Sequence, residues 1–175
     1  MADLIVTLVG ADHPGIVESV AQPIAANGGN WLESRMAHLA GKFAGILRIE
    51  VPPEKQRDLT QALAALERLG LKVVVEAGEA APAAAQPQLM DLDLVGTDKR
   101  GIVREISPLL VAHGVNIEEL TTDRVPSPMS GAPLFRARAR VQVPASADLR
   151  ALRGDLEKVA SDLMVEVKLL DPQRG

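Results

Sequence analysis

The sequence predicts an α+β protein made of two β-α-β-β-α-β units in tandem, each a four-stranded antiparallel sheet with both helices on one face, the ferredoxin-like arrangement. Three observations predict it. Gly10-Ala-Asp-His-Pro-Gly15-Ile-Val17 returns as Gly96-Thr-Asp-Lys-Arg-Gly101-Ile-Val103, an offset of 86 positions that holds without a gap to Asn27-Gly28-Gly-Asn30 and His113-Gly114-Val-Asn116. Each copy runs through the same order of short β-rich stretches and amphipathic stretches of helical period. Between the copies, Gly78 to Gln88 has no apolar period and contains Pro82 and Pro87, as a solvated linker does. The expected organisation is a first unit over 1–77, a linker over 78–88, a second unit over 89–171 and a tail over 172–175.

Leu4 to Val9 is a β-rich run, ended by Gly10, that reads as a buried strand. Ile16, Val17, Val20, Ala21 and Ile24 then recur at helical spacing, predicting a helix over roughly 13–27 with Asp12 as N-cap, Pro14 in the first turn and Gly28 beyond the last. Asn30–Leu39 and Phe43–Val51 flank Ala40-Gly41 and predict a hairpin with a short turn. Leu59, Ala62, Leu63, Leu66 and Leu69 mark a second helix, stopped by Gly70 before a strand over 71–76. The second copy predicts strands over 90–95, 115–125, 135–143 and 163–170. Its helices fall at roughly 100–113 and on Leu149, Leu152, Leu156 and Val159. One feature breaks the symmetry: Pro126 to Pro133 stands where the first hairpin has two residues. Loops are where function is commonly added, and a hairpin tip without function is an equal reading. Arg136, Arg138 and Arg140 share one face of a strand; solvent exposure explains them more simply than a grip on an acidic partner.

Composition narrows the function classes. Net charge is −4 and aromatics are 2% of the chain, so the basic footprint and stacking surfaces of a nucleic-acid binder are missing. There is no cysteine, which removes thiolate metal sites, disulfides and thiol nucleophiles. No signal peptide or apolar run of membrane-spanning length stands in the sequence, so a cytoplasmic protein without membrane contact is expected. His13, His38 and His113 form no ligand cluster, and no catalytic constellation is visible; neither a metal, a cofactor nor an enzyme activity is expected.

The turn between first strand and first helix is where the copies agree most closely. It brings free backbone N–H groups to a helix start, a setting that suits a carboxylate. Gly15 and Gly101 would admit a ligand or another backbone, or else permit tight helix-to-strand packing. The spacing Gly10 to Gly15 is that of a phosphate-binding loop, but Ile16 and Val17 follow where that motif requires Lys and Ser or Thr. Asn30 and Asn116 could offer an amide to an amino-acid backbone from an adjacent unit, or merely cap a turn. His13 reads as a ligand contact or as plain solvated surface, its counterpart being Lys99. At a helix end, His113 is explained by the dipole.

A β-α-β-β-α-β unit with Gly-x-Asp-x-x-Gly-Ile-Val after strand one and Gly-x-Asn at strand two resembles the ACT domain, the small amino-acid-sensing module. The tandem arrangement without an appended enzyme or helix-turn-helix, together with Val125 to Phe135, is similar to the glycine-cleavage-system transcriptional repressor family. The resemblance implies ligands lodged between a strand-one loop and a neighbouring unit. Gly10, Asp12, His13, Gly15, Ile16 and Asn30 match the first such site, and Gly96, Asp98, Gly101, Ile102 and Asn116 the second. Lys99-Arg100 in place of His13-Pro14 makes the second loop more basic. The resemblance further implies a non-catalytic regulator that binds a small amino acid such as glycine and contacts a DNA-binding activator without touching DNA itself. A ligand-independent scaffold, and a regulatory piece of an amino-acid or one-carbon enzyme, are the alternatives. Open sheet edges are compatible with a homodimer.

Overall fold

The computed structural model describes residues 1–78, 87–127 and 131–171. Most of the expected linker (79–86), the middle of the expected loop (128–130) and the tail 172–175 lie outside the described residues. The chain forms two compact units, Met1–Ala81 and Pro82–Gly175.

In the first unit β1 (Ala2–Ala11), α1 (Ile16–Ala26), β2 (Asn30–Leu39), β3 (Lys42–Val51), α2 (Gln56–Ala64) and β4 (Leu71–Ala77) follow one another, with 3-10 turns at Pro53–Lys55 and Ala65–Leu69 on either side of α2. The second unit repeats the order with β5 (Gln88–Thr97), α3 (Ile102–Ala112), β6 (Asn116–Pro126), β7 (Pro133–Val143), α4 (Leu149–Leu163) and β8 (Val165–Leu170). The sheets are ordered β2-β3-β1-β4 and β6-β7-β5-β8, and every pairing is antiparallel. These are the two α+β, ferredoxin-like units that the repeat predicts.

Alternation along β1 sends Leu4, Val6 and Leu8 inward, where they meet Leu47, Ile49 and Val51 of β3 and the helix residues Val20, Ile24, Leu59 and Leu63. Met90, Leu92 and Leu94 do the same in the second unit against Val141, Val143, Ile106, Leu110, Leu152 and Leu156. Each core is aliphatic because the chain has few aromatic residues. Ala40 (φ 49°) and Gly41 (φ 74°) both adopt left-handed backbone, the type I′ turn that matches the twist of a two-residue hairpin.

The first helix of each unit is shorter than its periodicity suggests. α1 begins at Ile16, not near residue 13, and α3 at Ile102, not Arg100. The residue before each is a glycine at φ 91° or 94°, which turns the chain sharply and separates the loop from the helix. Both helices end as expected, with Gly28 and Gly114 at φ 68° and the following N–H returning to Ile24 or Leu110 at 2.9 Å.

On the outer face of the second sheet the arginine row is matched in register by the chain's own carboxylates. Arg136 lies beside Asp123, Arg138 beside Asp93, and Arg140 between Asp91 and Glu119. Lys168 and Glu166 complete the face from β8, giving four cations against five carboxylates and a net charge of −1. The arginines are therefore a compensated solvent face rather than a basic patch.

Candidate functional site

The duplicated turn assigns different work to its two glycines. A Cβ on Gly10 would stand 2.7 Å from the Gly70 carbonyl oxygen, and one on Gly96 would stand 2.8 Å from the Val165 Cα. These glycines let the end of β1 or β5 pass close to the start of β4 or β8. Gly15 and Gly101 are the opposite case: a Cβ on either would meet nothing within 4 Å, and glycine is favoured there by positive φ alone. The packing explanation of Gly15 and Gly101 is thereby corrected; tight packing belongs to Gly10 and Gly96.

Neither α1 nor α3 has a side-chain N-cap, whereas Asp148 caps α4 by accepting from the Arg150 and Ala151 N–H groups at 2.9 and 3.1 Å. The first N–H groups of an α-helix have no intrahelical carbonyl partner, and they carry the positive end of the dipole. In both units this donor set begins at a glycine with open space above it.

Asp12 is not the cap that the sequence suggests. Its carboxylate lies 3.6 Å from His38 Nε2 on β2, and its N–H donates to the Gly41 carbonyl at 2.9 Å. Asp98 repeats the arrangement: Arg124 Nε donates to its carboxylate at 2.7 Å, and its own N–H donates to the Pro133 carbonyl at 3.1 Å. Each aspartate clasps the loop to the far end of the neighbouring hairpin. His38 and Arg124 were missed as site residues. They lie 86 positions apart, each 26 after its aspartate, so following opposite charges through the repeat would have found them.

His13 is exposed, and its Nδ1–H donates to the Pro14 carbonyl at 3.0 Å. Arg100 is exposed and Lys99 half-buried in the corresponding turn. The side chains of Ile16 and Ile102 are buried in the two cores, so each can offer a ligand only its backbone N–H. Asn30 and Asn116 are exposed at the starts of β2 and β6. Asn30 lies in register with Glu50, which accepts from its amide at 3.2 Å, and Glu50 is in register with Asp3. Gly10 is seven residues further along β1, roughly 24 Å at 3.4 Å per residue. Within one unit, then, the loop residues come together and the asparagine does not join them.

The resolved electrostatic perturbation is also at the asparagine end: Arg48 donates to the Asp3 carboxylate at 2.6 to 3.0 Å and holds its pKa below the usual carboxylate value. Among the described residues no group of His, Asp and Glu side chains could hold a metal ion, and no helix is long and apolar enough to cross a membrane.

Comparison with known proteins places this geometry. Residues 2–76 match the family model described as the ACT domain. The glycine cleavage system transcriptional repressor of Escherichia coli K12 is 25% identical over 162 residues, spanning 91% of this chain and 85% of that protein. A UPF0237 protein of Methanococcus maripaludis is 30% identical over 76 residues, covering 43% of this chain and 83% of its own length. Among solved structures, a protein of unknown function from Galdieria sulphuraria superposes with a TM-score of 0.87 at 26% identity, covering 97% of this chain and 98% of that one. A candidate glycine cleavage system transcriptional repressor superposes at 0.70 over 96% of this chain and 95% of that one; at 19% identity this speaks for the fold alone.

Proposed function

Because this chain belongs to the ACT-domain family, with two such units in tandem and similarity to the glycine cleavage system transcriptional repressors, we propose that it is a cytoplasmic, non-catalytic sensor of a small amino acid. The observation that carries the reading is the repeated helix start at Gly15 and Gly101. Each has left-handed backbone, no side-chain cap and nothing within 4 Å of the position a Cβ would take. A carboxylate placed there accepts from backbone N–H groups and meets the positive end of the helix dipole, worth about 0.3–1 kcal/mol at an exposed site.

Glycine is the ligand this reading favours, since the similar repressor is named for glycine cleavage and the space above the turn has no built recognition for a side chain. Its five heavy atoms, at a ceiling of roughly 1.5 kcal/mol each, limit binding to about 7–8 kcal/mol, a dissociation constant no tighter than low micromolar. Asn30 and Asn116, far from the loop of their own unit, would serve a ligand only from a neighbouring one. The signal requires that the ligand bind two states unequally, because equal affinity shifts no population. The output is contact with a DNA-binding activator, consistent with an acidic chain poor in aromatic residues.

Calorimetry against a panel of amino acids tests the reading. Heat from one small amino acid, lost in a Gly15→Ala/Gly101→Ala variant that remains folded, is the expected result; no heat from any member overturns it. A second reading, a ligand-independent interaction module, draws on the Asp12–His38 and Asp98–Arg124 clasps, which shape the loops without a ligand. Silent calorimetry combined with recovery of a transcription factor unaffected by amino acids would favour it.

A further inference from the structure

The two units keep the same backbone but turn opposite chemistries outward from their sheets. Across the middle of the first sheet, Arg35, Ile46, Thr7 and Val74 lie in one row; the corresponding row of the second is Thr121, Arg138, Asp93 and Lys168. The next row is Ala37, Ala44, Val9 and Lys72 in the first unit and Asp123, Arg136, Val95 and Glu166 at the equivalent positions of the second. Ile46 is 48% exposed, Val74 55% and Val9 43%, with Ile5 beside them on β1. A solvated sheet face carries polar side chains, and the second unit shows that this backbone accommodates them. The apolar middle of the first face, bordered in the row of Ile5 by Glu33, Arg48 and Glu76, is therefore a property of its sequence, not a demand of the fold.

We propose that the outer sheet face of the first unit packs against the same face of a second copy of this chain. Charge complementarity selects that occupant. On β4, Lys72 and Glu76 flank Val74 at two residues' distance on either side, all three pointing outward. A two-fold axis running across the strands through Thr7, Ile46 and Val74 lays Val74 on Val74 and Ile46 on Ile46, and brings Lys72 of each copy over Glu76 of the other. A two-fold axis along the strands would instead set Glu76 over Glu33, opposing two carboxylates. The charged outer face of the second unit offers no match for an apolar surface. The same axis sets Arg35 of each copy opposite Arg35 of the other, but on the edge strand at the rim, where both guanidinium groups can turn out to water.

The area fits a reversible association. Four strands at about 4.8 Å and eight residues at about 3.4 Å give roughly 500 Å² per copy, about 1,000 Å² in all. Stable interfaces bury roughly 1,200–2,000 Å², so a micromolar, concentration-dependent dimer is expected.

Sedimentation equilibrium of the full chain from about 1 to 500 µM tests the proposal. The wild type should pass from monomer to dimer over that range. Thr7→Asp/Ile46→Arg/Val74→Lys copies the middle row of the second unit onto the first, at exposed positions, and should raise the dissociation constant at least tenfold with unchanged circular dichroism. Lys72→Glu and Glu76→Lys should each weaken the dimer, and the two together should restore it, because only the two-fold across the strands pairs those positions. A wild type monomeric throughout overturns the proposal. So does a dimer that survives the triple substitution, or a charge swap that fails to restore association.

Discussion

Substituting alanine at Gly10 and at Gly15 separates two reasons for a repeated glycine that the sequence cannot distinguish. At Gly15 the new methyl group meets no atom within 4 Å, so the cost is that of holding alanine at φ 91°. Left-handed backbone costs an L-residue about 1–2 kcal/mol, and loss of glycine's freedom in the unfolded chain returns about 0.4–1. The net destabilisation should be about 1 kcal/mol. At Gly10 the methyl carbon would lie 2.7 Å from both the Gly70 carbonyl oxygen and Leu71 Cδ2, and Leu71 is fully buried. Neither neighbour can withdraw without moving β4, and overpacking of this kind costs about 1–3 kcal/mol. Trp31, the one tryptophan, packs half-buried against the first core, so its fluorescence during urea denaturation reports this unit alone. Gly10→Ala should be the more destabilising change, and Gly15→Asn should cost less than Gly15→Ala, because Asn tolerates left-handed backbone. If Gly15→Ala is the worse of the two, the space above the turn is not empty and the assignment of roles is wrong.

Met164 closes α4 at φ 56°, the position Gly70 occupies in the first unit, and is 69% exposed; Met164→Gly should raise the melting temperature of the second unit by several degrees, read by calorimetry. Ala40→Asn places a residue suited to positive φ in the type I′ turn and should stabilise the first unit by about 0.5–1 kcal/mol in the same urea assay. A cavity of about 40 Å³ lies between α3 and the β6–β7 hairpin beside Ala139, where the first unit has Leu47. The space is partly open to solvent, so roughly 24 cal/mol per Å³ sets an upper bound of about 1 kcal/mol on the stabilisation of the second unit by Ala139→Val, and a lower melting temperature would show that the space is not a packing defect. Arg48 lowers the Asp3 pKa, so their contribution is present above the ordinary carboxylate value and lost as pH falls through the lower folded value. The stability difference between wild type and Asp3→Asn should accordingly stay level near neutrality and shrink only below about pH 4.

The repeat made the fold legible. An 86-residue offset fixed the element order of the second unit from the first, but Leu4 to Val9 is apolar on both faces apart from Thr7, so that Leu4, Val6 and Leu8 are the buried set emerges only with the helices in place. The helix starts were less legible, because Asp12 has the composition of an N-cap while the left-handed turn at Gly15 intervenes. A cap preference is a local signal, and here a contact with a strand 26 residues away determines the aspartate's role. The difference between Gly10 and Gly15 was likewise out of reach: one depends on the approach of Gly70, from an element far along the chain, and the other on the absence of any neighbour. The arginine row was visible as a pattern, but its partners lie on β5 and β6 and emerge only with the register.

Duplication supplies an internal control on which features the fold itself requires. The close-packed Gly10 and Gly96, the helix ends at Gly28 and Gly114, and the aspartate clasps occur in both units, so each can be explained by the architecture. The open glycines at the helix starts also occur twice, but packing does not explain them, since nothing touches the place a side chain would fill. What remains is the backbone turn itself, and such a turn exposes donors instead of burying them. The clasps hold this turn in shape by different cations, His38 in one unit and Arg124 in the other, while Pro14 in one loop is replaced by Arg100 in the other. The geometry is thus preserved while its surrounding charge is not, so under the proposed sensing role the two loops would bind a carboxylate unequally, the more basic one more strongly.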